Sequence, residues 1–155
     1  PDLAVLRRVI TRPSQAGGEA FEGVSEAEFD RRLAAGEFVL HWQAHGLRYG
    51  IPRNEIAVRI VGRDVLFNGS RAALGAAVTR FPDLVVLRVT APEDLLRQRL
   101  LERGREEAGD IAARLRRATR DIPPGVSVID IVNDGTVAEG IARLLAVLQP
   151  ESGYR

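Results

Sequence analysis

The chain has 155 residues, enough for one domain of ordinary size whose core needs neither disulfides nor a structural metal. Its 22 basic residues are all arginine and nearly balance 21 acidic ones, so no overall field favours nucleic acid or an anionic membrane, and Schiff-base lysine chemistry is excluded. With no cysteine and two histidines, His41 and His45, thiol catalysis and the usual zinc sites are excluded as well.

No run of 18 apolar residues occurs, and the opening "PDLAVLRRVITRP" lacks the layout of a signal peptide, so the expectation is a soluble, cytoplasmic protein. "LAVLRRVI" predicts a strand, and "TRPSQAGGE" a polar Gly/Pro loop that holds Arg12. "SEAEFDRRLAAG" predicts a helix with Ser25 as N-cap, Glu28 at the capping-box position and Gly36 as stop. In "FVLHWQAHGLRYGIP", Phe38, Leu40, Trp42 and Ala44 alternate with Val39, His41, Gln43 and His45, the period-two pattern of a half-buried strand. Arg48 and Tyr49 then fall just beyond that strand. His41 and His45 would lie about 13 Å apart along it, too far to share one ion, which leaves a polar open face or a substrate contact from His45.

Further on, "RDVLF", "LVVLRV" and "VSVIDIV" are short β-branched runs separated by helical patterns near 70–80, 93–120 and 136–149. Such runs suit parallel strands buried on both faces, and the alternation predicts an α/β layered sheet. Ligands of such sheets bind outside the carboxyl ends of the strands, where two turns stand out: Asn68, Gly69 and Ser70, and Asn133, Asp134 and Gly135. Each leads into a helix N-terminus, a place that favours anions, though strand-to-helix turns of this kind are also commonplace. Arg99 and Arg103 at i,i+4 on one helix, and Arg114 and Arg117 at i,i+3 on the next, put like charges side by side, either a solvated surface or a grip on an anion. With Arg12, Arg48 and Tyr49 as a second group, the pattern points to a polyphosphorylated small molecule.

The motifs "TRP…GE", "SEAEFDRRLAAGEF", "HGLRYG", "RLLERGRE…IAARL" and "VND" resemble the layout of guanylate kinases within the nucleoside-monophosphate kinases. "RRVITRP", "LHWQAHGLRYGIP" and "NGSRAAL" are more similar to ribose 1,5-bisphosphate phosphokinases, which serve phosphonate degradation. The likeness runs from about residue 5 to 149. It implies a P-loop-kinase-like parallel sheet with helices on both faces, with core segments at about 1–10, 62–92 and 122–149, an acceptor-binding insert at about 11–61 and a lid at about 93–121. It also implies ATP and Mg2+ as cofactors, a phosphosugar as substrate partner, no nucleic acid and no membrane, and it leaves homo-oligomerisation open.

By the same resemblance, Arg12 and Tyr49 match phosphate-gripping residues, and Arg48 belongs to the phosphokinase form of the motif. Arg103 and Arg114 match the catalytic lid arginines, and Asn133 borders the nucleotide. His45, Asn68 and Ser70 are read as substrate contacts, and Asp134 as a neighbour of the nucleotide, from their places at strand ends and strand-to-helix turns. Guanylate kinases place a glutamate where Leu40 stands, and a second phosphate-binding arginine where this chain has Gln15. A guanine edge without its carboxylate would lose about 1–3 kcal/mol or more, so GMP is disfavoured as acceptor. The P-loop pattern GxxxxGK[ST] is absent, and the first strand here corresponds to the one that follows the P-loop unit, so a strand, loop and helix of roughly 30 residues are expected in front of it. Without them, strand edges and apolar surface would stay uncovered. Besides the phosphokinase reading, a binding module that has lost donor binding and a guanylate kinase remain as alternatives.

Overall fold

The computed structural model describes residues 3–57, 64–103 and 122–148, in two compact units, Pro1–Asp83 and Leu84–Arg155. Among the described residues, no helix is long and apolar enough to cross a membrane.

In the first unit the predicted opening strand is in fact two. β1, Leu3–Val5, pairs in parallel with β6, Asp64–Leu66, whereas β2, Arg8–Ile10, belongs to a different sheet. The break has a local cause. The Leu6 N–H still bonds the Leu66 carbonyl at 2.8 Å, but the Arg7 N–H goes to the Glu55 carboxylate at 3.0 Å and leaves the ladder. Residues 8–10 therefore belong with the segment read as the insert, not with the parallel core.

That second sheet has the order β3, β2, β5, β4, with β3 at Phe21–Gly23, β4 at Phe38–Ala44 and β5 at Leu47–Pro52. β2 runs parallel to β3 and antiparallel to β5. Between β3 and β4 lies α1, Glu26–Ala34, where the Ser25 hydroxyl accepts the Glu28 N–H at 3.1 Å and Gly36 at φ 67° follows the helix end. The reciprocal half of the capping box is replaced: the Glu28 carboxylate accepts from Arg31 and Arg32.

A β-bulge between Phe38 and Leu40 interrupts the expected alternation of β4. It turns Phe38 to the α1 side, where it stacks on Phe29 at 4.7 Å and packs with Val9, while Leu40 and Trp42 face the other way beside Ile51. β4 and β5 are joined by a two-residue turn, His45 and Gly46, both at positive φ (54° and 73°), the geometry of a tight hairpin. A short helix α2, Arg53–Ile56, closes the hairpin, and α3, Arg71–Arg80, packs its segment against β4, with Ala73 and Ala77 buried.

The second unit contains β7, Val85–Thr90, α4, Glu93–Arg103, β8, Ser127–Val132, and the last helix, α5, Val137–Leu148. β7 and β8 form a parallel ladder, register Val85↔Ser127 to Thr90↔Val132. Burial on both faces, as read from their β-branched runs, does not hold: Val89 is 61% exposed, and Val85, Ile129 and Val132 are exposed too. Among the described residues this ladder has two strands only, and the element packed on it is α5 against β8.

Candidate functional site

The register of β2 against β5 brings much of the predicted acceptor group to one end of one sheet. Ile10 lies opposite Tyr49, the Thr11 N–H bonds the Arg48 carbonyl at 3.1 Å, and the Arg48 N–H bonds the Thr11 hydroxyl at 2.9 Å. The loop holding Arg12 therefore leaves β2 at the same end as the His45–Gly46 turn. Arg48 and Tyr49 sit within β5 rather than beyond a strand. The two-residue His-Gly turn between apolar runs is the signal that could have shown this, since histidine tolerates positive φ better than most residues.

Arg12 is held but not neutralised. Its guanidinium lies 4.3 Å over the Phe21 ring and donates to the Gly17 carbonyl at 3.0 Å, while its Nε is buried without a partner and no carboxylate pairs with it among the described residues. The loop is pressed onto β3: a Cβ at Gly23 would collide with the Arg12 carbonyl and come within 2.6 Å of the Ser14 backbone nitrogen. Tyr49 stacks on Trp42 at 5.3 Å with planes 4° apart, and the Arg8 guanidinium lies 5.0 Å from its ring centre. Trp42 is 6% exposed, and its indole N–H is buried without a partner among the described residues.

Arg48 is placed differently. Its guanidinium contacts Asp30 at 2.6 Å and Glu26 at 3.2 Å and lies 4.3 Å over Phe29, and the Asp30 hydrogen bond, followed by that of Glu26, pushes its pKa up, with partial desolvation opposing them. Its charge is largely answered by two carboxylates. His45 stands exposed in the hairpin turn.

Asn68 supplies a backbone carbonyl, which accepts from Arg8 Nη1 at 2.8 Å. Ser70 occupies the N-cap position of α3, yet its hydroxyl makes no cap bond and is buried without a partner among the described residues. Arg8, which sequence reasoning passed over, is 7% exposed, and it donates from Nε to Glu19 Oε2 at 2.9 Å and from Nη2 to Glu19 Oε1. An arginine inside the apolar run "LAVLRRVI", with a glutamate in the following loop, was the available clue: a buried charge demands a partner.

In the second unit, the turn from β8 to α5 is self-satisfied. Thr136 and Glu139 form a complete capping box: the Glu139 carboxylate accepts the Thr136 N–H at 2.7 Å and so lies well below its usual pKa. Arg99 donates to the carbonyls of Asn133 at 2.8 Å and Gly135 at 3.1 Å, so it is committed to the turn rather than left facing a like charge. Asp134 accepts from Arg143 at 2.6 Å, and that bond lowers its pKa. An open groove lined by Asp130, Val132, Asp134 and Arg143 thus carries two carboxylates and an arginine already tied to one of them, a poor match for a polyanion. Arg103 ends α4, but its side chain, like Arg114 and the rest of 104–121, lies outside the described residues.

No family model matches the chain. It is 45% identical over 152 residues to a ribose 1,5-bisphosphate phosphokinase of Ruegeria sp., covering 97% of this chain and 80% of that protein. The chain belongs to the ribose 1,5-bisphosphate phosphokinase family. A phosphokinase of Pseudomonas fluorescens is 46% identical, with 93% of this chain and 78% of that protein covered. A bifunctional ribose 1,5-bisphosphokinase-thymidine phosphorylase of Azorhizobium caulinodans is 49% identical over 92% of this chain, of whose own length the chain spans about a fifth (20%). A guanylate kinase structure from Anaplasma phagocytophilum aligns with a TM-score of 0.62 at 19% identity, over 97% of this chain and 78% of that one, and shows the fold to be guanylate-kinase-like.

Leu40 is 3% exposed and registers with Ile51, itself buried, so this position of β4 is part of the apolar core.

Proposed function

We propose that the protein transfers a phosphoryl group from ATP, with Mg2+, to ribose 1,5-bisphosphate, giving 5-phosphoribosyl 1-diphosphate for phosphonate catabolism. The observation that carries the reading is Arg12: a cation fixed on an aromatic ring, with a buried unpartnered Nε and no carboxylate among the described residues. Such a group gains most from a phosphate, whose oxygens match the guanidinium fork. Tyr49, held between Trp42 and Arg8 and at the same end of the sheet, presents its hydroxyl as a second contact. His45 and Arg48 border this end, Arg48 with its charge already engaged, and Asn68 with Ser70 forms the turn tied to it through Arg8.

The acceptor needs no protein base. A phosphate monoester has its second pKa at about 6, so at neutral pH its oxygen is already anionic and nucleophilic. What remains is to hold it, aim it and offset charge, which is the larger part of phosphoryl transfer. In this reading Arg103 and Arg114 offset charge on the transferring group, and Asn133 with Asp134 borders the nucleotide. The donor phosphates and their magnesium have no fitting set of side chains among the described residues: the sequence has neither GxxxxGK[ST] nor any lysine, and the described residues hold no cluster of three metal-binding side chains. The chemistry these residues account for is on the acceptor side.

The test is phosphorus NMR of the full-length protein with ATP, Mg2+ and ribose 1,5-bisphosphate, with GMP in a parallel reaction. Formation of the pyrophosphate signals of 5-phosphoribosyl 1-diphosphate supports the reading. Bisphosphate binding without transfer makes the protein a binding module, and turnover of GMP alone makes it a guanylate kinase; either outcome overturns it.

A further inference from the structure

Arg8 ties together the parts of the acceptor group without being spare for the acceptor itself. From β2 its side chain reaches Glu19 through two hydrogen bonds, the Asn68 carbonyl at 2.8 Å and the ring of Tyr49 at 5.0 Å. These partners lie on three other segments: the end of the Arg12 loop, the turn before α3, and β5.

The topology explains why Glu19 arrives there. β2 and β3 are parallel, with Arg8 opposite Phe21, so the chain that leaves β2 past Ile10 must travel back along the strand before β3 begins. The loop starts at Arg12, at the far end of β2, and finishes at Glu19, beside Arg8. Gly17 and Gly18 lie between, both at positive φ (73° and 93°), and bring little stiffness of their own. Arg12 donates to the Gly17 carbonyl at 3.0 Å, two residues before Glu19, so a bidentate tether at the returning end limits where that carbonyl, and Arg12 with it, can sit.

Stability alone does not call for an arginine here, because a buried ion pair is often no better than an apolar pair of the same volume. What the guanidinium fork adds is direction: fixed angles to a carboxylate, a carbonyl and a ring at once.

We propose that Arg8 is a positioning residue for the acceptor: acting through Glu19, Tyr49 and Asn68, it sets the geometry in which Arg12 and Tyr49 meet a sugar phosphate. The inference rests on the reading that the loop 11–20 and Tyr49 bind ribose 1,5-bisphosphate.

The experiment is calorimetric titration of the full-length protein with ribose 1,5-bisphosphate, in the wild type, Arg8→Lys, Glu19→Gln and Arg12→Ala, and in the Arg8→Lys/Arg12→Ala and Glu19→Gln/Arg12→Ala pairs, with thermal unfolding followed alongside. Arg8→Lys keeps the charge and loses the fork; Glu19→Gln keeps the shape and loses the charge. Each is expected to weaken binding tenfold or more in the wild type, and less than threefold once Arg12 is already alanine, because the geometry it maintains then serves a missing group. A merely structural role would lower the unfolding temperature and leave the effects on binding additive. Wild-type affinity in folded Arg8→Lys and Glu19→Gln, or additive losses, overturns the inference while leaving the bisphosphate reading intact. If Arg8→Lys does not fold, Glu19→Gln, at a partly exposed position, decides by the same measure. Absence of binding by the wild type overturns the reading and this inference with it.

Discussion

Arg48 and Tyr49 are adjacent in sequence and lie on opposite faces of β5. Arg48 meets Asp30, Glu26 and the ring of Phe29 on the α1 side, whereas Tyr49 meets Trp42 and Arg8 on the other. Strand alternation makes this unavoidable once both residues are inside the strand. A single phosphate gripped by both from one face is therefore excluded, and the two arginines of the acceptor group divide into one with its charge answered and one without.

That division is measurable. Arg12→Ala is expected to weaken bisphosphate binding by roughly 10–100-fold, the loss of charge-assisted hydrogen bonds, with little change in unfolding temperature. Arg48→Ala is expected to cost about 1 kcal/mol of stability, from a lost ring contact and two largely exposed ion partners, with an effect on binding of less than about tenfold. Calorimetric titration and urea unfolding of both variants check the pair of outcomes. The opposite assignment, Arg48 dominating affinity, would move the phosphate contact to the α1 face.

Leu40 gives a sharper contrast with guanine recognition. It is buried in register with Ile51, and a carboxylate there would be taken out of water. Leu40→Glu is expected to cost about 3–5 kcal/mol, the scale of an uncompensated buried charge, and not to create GMP turnover. Urea unfolding gives the first number and a GMP assay the second. A stable variant that phosphorylates GMP would show that this pocket differs from a guanine site by one residue.

Much of the fold is legible in local chemistry. α1 follows from Ser25, Glu28 and Gly36, and the three β-branched runs become β6, β7 and β8 close to their sequence bounds. The failures share a different cause: they depend on partners far away in sequence. "LAVLRRVI" has one apolar pattern, and only the competing ladders of β6 and of β3 with β5 divide it at Leu6 and Arg7. Phe38 and Leu40 alternate in sequence as if on one face, and a bulge separates them. In the proposed acceptor site, Arg12 and Tyr49 carry a motif, but Arg8 does not stand out in the sequence, because what sets it apart is its contacts to residues 19, 49 and 68.

The bulge itself yields a prediction. Phe38, turned toward α1, lies over Gly50, where an added Cβ would come within 2.6 Å of two ring carbons. Gly50→Ala must therefore displace a ring that stacks on Phe29 at the centre of the Val9 cluster. The expected cost is about 1–3 kcal/mol, as for other overpacked cores. Phe38→Leu alone should also destabilise, but combined with Gly50→Ala the two losses should sum to less than their separate values, since the smaller side chain makes the room the methyl needs. A double-mutant cycle by urea unfolding tests this, and strict additivity would mean the crowding is relieved elsewhere.

Acid stability should depend on Glu28. Its carboxylate accepts from Arg31 at 2.8 Å and 2.9 Å and from Arg32 at 2.8 Å, and these bonds lower its pKa from 4.5 to about 2. Glu22, bonded to Arg32 at 2.5 Å, is lowered as well. A carboxylate whose pKa is depressed by folding binds its proton more readily when unfolded, so its contribution is complete above about pH 4.5 and fades as pH falls toward 2. Glu28→Gln carries no such titration. At neutral pH the variant should unfold at a lower temperature than the wild type, and the gap should narrow steadily from about pH 5 downward until it closes near pH 2. Thermal unfolding of both proteins across that range, at low salt so that exposed charges are not screened, measures it. A constant gap would mean that Glu28 acts through its shape in the α1 cap and not through its charge, and the weight of the acid response would then pass to Glu22.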